Sequence, residues 1–363
     1  MSPHLPTHED DESTSLLNGN VRRNSVQMAR GDGMVSLWAG IGLLWTIMTV
    51  QAWIRWIFSD EFAPAPLDTT DEYPLYRNVG LRLVEAASTA ITIGFTWFFV
   101  ISPIRVGKLN AAPRQKRELS LDGKFVIGGL LTWSSDAFLN CRQYIFAFNA
   151  HSVNLGVWTP FMPFERPGGP SRYAESLLWA PPMYIYFCAG VAMMSCAWTR
   201  ILRRRYPDLS DSTVTVLVLI FKFVFDFVVE NIIIRWTHAY SFTKTYGPLT
   251  LWAGEVHQFP IYESVLVAIL GTLFTHQRMK ALDDPDHVSP VEKGYERWPE
   301  YLQGTVRLLA VIGFCSLSCV VVYHFPLNWL GTAAGTSYAK MPSYLKIGRG
   351  DMWDGTLVNS TVF

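Results

Sequence analysis

The sequence predicts an all-α, polytopic membrane bundle of about seven helices. Three observations carry that reading. Several apolar runs reach the roughly 20 residues that span a bilayer. Only 17% of the 363 residues are charged, against about 25% in soluble domains. Lysine and arginine gather in alternate loops, the pattern of chains oriented by the positive-inside rule.

Hydropathy places the spans near 34–57, 81–101, 121–144, 173–198, 214–234, 256–275 and 305–323. Arg22, Arg23 and Arg30 precede the first span, and Arg105, Lys108, Arg114, Lys116 and Arg117 separate the second from the third. Arg200, Arg203, Arg204 and Arg205 follow the fourth, and Arg278, Lys280, Lys293 and Arg297 follow the sixth. The loop after the first span is instead acidic, with Asp60, Glu61, Asp68, Asp71 and Glu72. This alternation predicts a cytosolic N-terminus and a lumenal C-terminus. The expected organisation is a cytosolic tail over 1–33, a transmembrane domain over 34–325 and a lumenal tail over 326–363. The tail 1–33 is polar, lacks the apolar centre of a signal peptide and reads as disordered. Asn359-Ser360-Thr361 is a glycosylation sequon on the lumenal side. The expected location is a membrane, the endoplasmic reticulum by inference.

Composition excludes several classes. The net charge is zero, which gives no electrostatic footprint for nucleic acid. The five cysteines show no C-x-x-C metal spacing. There is no Walker-type phosphate loop. Asp283-Asp284-Pro285-Asp286 lies on the cytosolic side, away from the other acids, and reads as a solvated loop. The last span holds no lysine for a retinal. No metal and no cofactor is expected.

The informative residues are acids inside apolar runs. Asp226 and Glu230 interrupt FKFVFDFVVENIIIR, and Glu85, Asp136 and Glu263 interrupt three other runs. Each costs roughly 2.5–3.5 kcal/mol to insert, so such residues face a bundle interior and mark function. Given the orientation, all lie in lumenal halves, with Glu255 and His257 just above. Lys222, Asp226 and Glu230 are spaced i, i+4, i+8 on one helix face. Asp136 and Asn140 share a face near Trp133. Trp252, Tyr262 and Asn231 lie close in sequence to the same acids. Duller roles compete: a Lys222–Asp226 ion pair, and helix-to-helix hydrogen bonding by Asp136 and Asn140.

A carboxylic acid among apolar groups is a general acid for an otherwise unreactive group. Electron-rich rings stabilise a cation. Together they suit protonation of an epoxide or alkene followed by cyclisation of an isoprenoid chain. The proton donor is Glu230 or Asp226. The base, or a partner of the donor, is Glu263 or Glu255, with His257 nearby. Asp136 and Asn140 orient the protonated oxygen, and Asn231, Trp133, Tyr262, Trp252 and Glu85 line the substrate site.

The segments ENIIIRWTHAY (Glu230–Tyr240) and LWAGEVHQFPIYES (Leu251–Ser264) resemble fungal membrane-bound terpene cyclases of meroterpenoid pathways, of the ascofuranone and macrophorin type. They are more distantly similar to avermectin-type spirocyclases, through Glu255, His257, Phe259, Pro260, Tyr262 and Glu263. The resemblance implies metal-independent cyclisation of a farnesyl or epoxyfarnesyl chain on an aromatic or polyketide head. It implies a lipophilic prenylated substrate, and a prenyltransferase or epoxidase as pathway partner. The competing classes are a small-molecule transporter, which needs a path open at both ends, and a non-catalytic scaffold, which leaves the buried acids unexplained.

Overall fold

The computed structural model describes residues 34–65, 67, 72–106, 119–141, 144–163, 175–333, 337–338 and 341–345. The N-terminal tail and the sequon fall outside them. The fold is mostly helical. The long elements are α1 (Met34–Ile57), α2 (Leu75–Arg105), α3 (Leu121–Thr132), α4 (Ala180–Arg205), α5 (Asp211–Thr237), α6 (Ile261–Asp283) and α7 (Glu300–Gly331). Four of them, α1, α2, α4 and α7, are long and apolar enough to cross a membrane. Of the acids that sequence reading singled out, Glu85 is on α2, Asp226 and Glu230 are on α5, Glu263 is on α6, and Asp136 is on the turn that follows α3.

Apolar side chains explain the outer surface. Leu37, Leu44, Ile47 and Ile54 of α1 and Leu83 and Ile93 of α2 are exposed, which suits a hydrocarbon solvent rather than water. Without a hydrophobic drive between helices, close backbone packing must hold them together. Gly42 of α1 and Gly313 of α7 supply it. A Cβ on Gly42 would lie 1.9 Å from the Leu309 carbonyl oxygen, and one on Gly313 2.2 Å from that of Trp38. The main core then joins α3, α4, α6 and α7 through Phe125, Ala189, Phe274 and Cys315, all fully buried.

At one end of the bundle a buried ion cluster ties three elements. Glu292, in the connection between α6 and α7, accepts from Lys124 Nζ at 2.5 Å and from Arg307 Nε at 2.9 Å. Ser289 donates both its amide and its hydroxyl to the other carboxylate oxygen. Burial pushes the Glu292 carboxyl up, but Lys124 and Arg307 outweigh it and hold it at about 2. This is a buried acid outside the group recognised from sequence. Arg278 also pairs with Asp122 at 2.8 Å on this side.

The opposite end is roofed by short strands. β1 (Phe146–Phe148) pairs antiparallel with β2 (Tyr240–Phe242), β3 (Lys244–Thr245) with β6 (Ser337–Tyr338), and β4 (Thr250–Leu251) with β5 (Phe259–Pro260). The turn into β2 comes from His238, in the left-handed region at φ 49°, whose amide closes the last turn of α5 on Ile234 O at 2.9 Å. Asn149 Nδ2 and Tyr344 Oη hold His238 there. Burial, with Arg77 nearby, pushes the His238 imidazole down to about 4, so the roof carries no charge there at neutral pH. Asn140 sets the start of β1. It donates to Phe146 O and accepts from the amides of Ile145 and Phe146.

Three of the long helices loosen locally into π turns: Trp97–Ile101 in α2, Tyr186–Gly190 in α4 and Cys319–His324 in α7. The turn after α3 tightens instead into a 3₁₀ segment, Trp133–Phe138. Such departures rotate the side-chain face away from the α-helical register and recur at functional sites. Three of these four segments, all but that of α2, supply the site below.

Candidate functional site

Asp226 and Glu230, one turn apart on α5, converge with Glu263 at the start of α6. One carboxylate oxygen from each lies within 4.8 Å of the other two. Glu263 is fully buried, while Asp226 and Glu230 are half-buried, their open side facing a cavity. Tyr323 Oη donates to Glu263 Oε1 at 3.0 Å. Ser264 Oγ lies 3.3 Å from Glu263 Oε2. Asp226 Oδ2 and Glu230 Oε2 have no hydrogen-bond donor among the described residues. Three negative charges at this spacing in an apolar wall repel strongly. A proton held among them relieves that repulsion, and so would a cation on the same three hard oxygen donors.

The cavity has a volume of about 560 Å³, within the usual range for a small-molecule site. Its walls come from α2 (Val84, Ser88, Phe95), α4 (Met183, Phe187, Met194) and α5, with Val267 and Tyr323 behind. Ile91 and Phe225, both on the exposed outer surface, belong to its rim. It therefore opens sideways, toward the surface that sheds water. Its ceiling is aromatic. Trp179 stacks on Tyr240 with centroids 4.8 Å apart, and Tyr240 stacks on Phe146 at 5.1 Å.

A second acid centre lies beside the first. Asp136, 1% exposed, accepts a hydrogen bond from Tyr184 Oη. The same hydroxyl is 2.9 Å from His324 Nε2, which is itself 3.8 Å from Asp136 Oδ1. In the 3₁₀ segment, residues three apart eclipse, so Trp133 and Asp136 share a face, and Trp133 Nε1 donates to Glu175 Oε1 at 2.7 Å. Asp136, Tyr184, Glu230, Tyr240 and Tyr323 all line one small chamber. The two centres thus face each other across a ring of tyrosines.

The structure brings together Asp226, Glu230, Glu263 and, across the chamber, Asp136. It leaves the other sequence candidates outside the cavity. Glu85 accepts from Val153 N at 2.7 Å and Arg82 Nη1 at 2.5 Å, tying α2 to the loop after β1. Asn140 shapes the start of β1, as described. Asn231 donates back to Phe227 O within α5. Tyr262 accepts from Tyr246 N. Trp252 is exposed, with Arg235 4.3 Å above its ring. Glu255 is exposed and His257 half-buried in the β4–β5 turn. Burial and Arg235 push the His257 imidazole down from its ordinary value. Lys222 does line the cavity but makes no ion pair with Asp226; its Nζ bonds Thr275 Oγ1 at 2.6 Å.

Sequence reading missed Tyr184, Tyr323 and His324. A histidine at the edge of the last apolar run was the available signal. The π turn that aims Tyr323 at Glu263 and its neighbour His324 at Tyr184 leaves no mark in the sequence.

The model of the family described as "Spirocyclase AveC-like" matches residues 116–343, well over half of the chain. The chain belongs to the AveC-like spirocyclase family. Family membership implies a cyclase-type enzyme. The matched span begins just before α3 and contains both acid centres of this AveC-like chain, together with the roof strands. No curated protein and no solved structure matched the chain.

Proposed function

We propose that the chain is a membrane-embedded terpene cyclase acting on a farnesyl chain attached to an aromatic or polyketide head. The observation that carries this reading is a carboxylate triad, two of whose members, Asp226 and Glu230, line an apolar cavity that lies beneath stacked aromatic rings and opens sideways, with Glu263 buried behind them. A lipophilic substrate enters from the bilayer. The triad donates a proton to an epoxide oxygen or an alkene carbon. The resulting carbocation is attacked by the next double bond, forming a C–C bond and a new cation. A base then removes a proton, so the product is an isomer of the substrate and the proton count closes.

Glu230 and Asp226 face the cavity and are the candidate donors. Glu263, held by Tyr323, is placed to hand a proton to either one. The Asp136–Tyr184–His324 unit, across the same chamber, is the candidate proton acceptor or orienting group. Removal of one general acid costs typically 10²–10⁴-fold in rate. Trp179 and Tyr240 face the developing cation, and their quadrupoles favour it.

The positive-inside pattern supports seven spans with the acid centres toward the lumen, and the family resemblance and the Asn359 sequon are the grounds for the endoplasmic reticulum. A pathway prenyltransferase or epoxidase supplies the substrate. Transport is the second reading, because a second cavity of about 830 Å³ lies near Arg200, Arg203 and Lys280. The Lys222–Thr275 bond sits between the two, since Lys222 lines the first and Thr275 the second. That closure favours the enzyme.

The test is expression in a host supplied with a farnesylated phenol, as alkene and as terminal epoxide. Product of unchanged mass and altered retention supports the reading. Membranes that carry the protein and return both compounds unaltered remove it.

A further inference from the structure

Lys222 takes no part in the proton chemistry above, yet it is the basic side chain among the described residues of the cavity wall. It is 2% exposed. It lies eight residues before Glu230 on α5, about 12 Å along the axis. Its Nζ donates to Thr275 Oγ1, a hydroxyl that itself donates to Gly271 O at 2.8 Å. No carboxylate among the described residues comes within 4.0 Å of it. Asp226, one turn away on the same face, turns instead to Glu230 and Glu263.

An ammonium has three donors, and one hydroxyl satisfies a single one. A buried cation needs a counter-charge as well as hydrogen bonds. Around it the wall is apolar, with Met194, Phe225 and Val267. The cavity that Lys222 lines is where a further partner can reach it.

We propose that Lys222 docks an acidic oxygen of the substrate, a carboxylate or an acidic phenol. The backbone positions of Lys222 and Glu230 are then about 12 Å apart along α5, which separates the head group from the part of the chain presented to Glu230. This rests on the cyclase reading and names the substrate class within it: an amphiphile with an acidic head at one end and the protonated group near the other. A neutral carbonyl fills a donor and leaves the charge; an acid does both. The step needs no outside proton, because acid and amine share the same one whichever of them holds it. The acidic head fixes which stretch of an otherwise featureless apolar chain lies beside the carboxylates.

Binding is measured on the full chain in nanodiscs, by quenching of tryptophan fluorescence. The probes are 3-farnesyl-4-hydroxybenzoic acid, its methyl ester, its phenol methyl ether and the doubly methylated compound. The expected result is at least tenfold tighter binding of the free acid than of the doubly methylated compound. Loss on esterification assigns the carboxylate, and loss on etherification assigns the phenol. Lys222→Gln, which keeps a donor for Thr275, should erase the preference and leave the doubly methylated probe's affinity unchanged. Thr275→Val should keep the preference. Equal wild-type affinity for all four probes overturns the proposal. So does a preference that survives Lys222→Gln, or an equal fall for every probe in that variant, which would mark a purely structural lysine. Affinity is read without turnover. A preference with no cyclised product would therefore remove the cyclase reading and leave the anion site standing.

Discussion

Glu230 differs from the other acids in lining both the main cavity and the small chamber that holds Asp136. Glu230→Gln keeps the shape and removes the proton. Turnover should fall by roughly 10²–10⁴-fold while the protein still accumulates in membranes, read by product formation against an immunoblot. Wild-type rates in that variant would take Glu230 out of the donor role. Tyr184→Phe makes a different demand. It deletes the hydroxyl shared by Asp136 and His324 and leaves the ring in place. Turnover should fall at least tenfold with little change in KM, because the hydroxyl holds the proton unit and does not contact the apolar chain. A pure KM effect would place Tyr184 in substrate binding instead.

Irregular turns within helices decide which residues reach the site. The π turn of α7 lets the neighbours Tyr323 and His324 serve two different partners, Glu263 and Tyr184. In a regular helix adjacent side chains diverge by about 100°. The α1–α7 contact depends in turn on two glycines. Gly42→Leu drives a side chain into the Leu309 carbonyl; overpacking of this kind costs about 1–3 kcal/mol or more, and less folded protein should be recovered in detergent. At the far end, the Glu292 cluster makes stability depend on pH. Its carboxyl sits at about 2 in the folded protein, against an ordinary value of 4.5. The stabilisation, on the order of 3 kcal/mol, is therefore complete above pH 4.5 and lost as pH falls toward 2. Thermal unfolding of wild type and Glu292→Gln should converge across that window. Curves that stay parallel would mean that Glu292 contributes nothing through its charge.

At the scale of the whole molecule, the two ends of the bundle divide the labour. One end is fastened by the compensated Lys124–Glu292–Arg307 cluster. The other holds uncompensated acids under an aromatic roof. The proposed orientation makes that second end lumenal, and a tag at the C-terminus of the chain should survive protease added to intact microsomes. Its digestion would overturn the shared lumenal depth of the acids. The triad's two charge states are separable as well. If a shared proton relieves the repulsion, cyclisation should persist in excess EDTA. Loss in EDTA with recovery on Mg²⁺ would assign the three oxygens to a cation.

By itself the sequence determined the helical class, because long apolar runs with few charges permit little else, and it marked Asp136, Asp226, Glu230 and Glu263 because ionisable groups in such runs are costly. It pointed as well to Glu255, His257 and Trp252, which share a motif with Glu263 but lie in the β4–β5 connection and do not line the cavity. A motif records chain neighbours, and a turn can send them to opposite sides. Only the tertiary structure decided that Lys222 bonds Thr275 and not Asp226, and that Tyr184, Tyr323 and His324 complete the site. Those pairings join segments far apart in the chain through turns that depart from helical period, and no local pattern encodes which distant side chain will meet them.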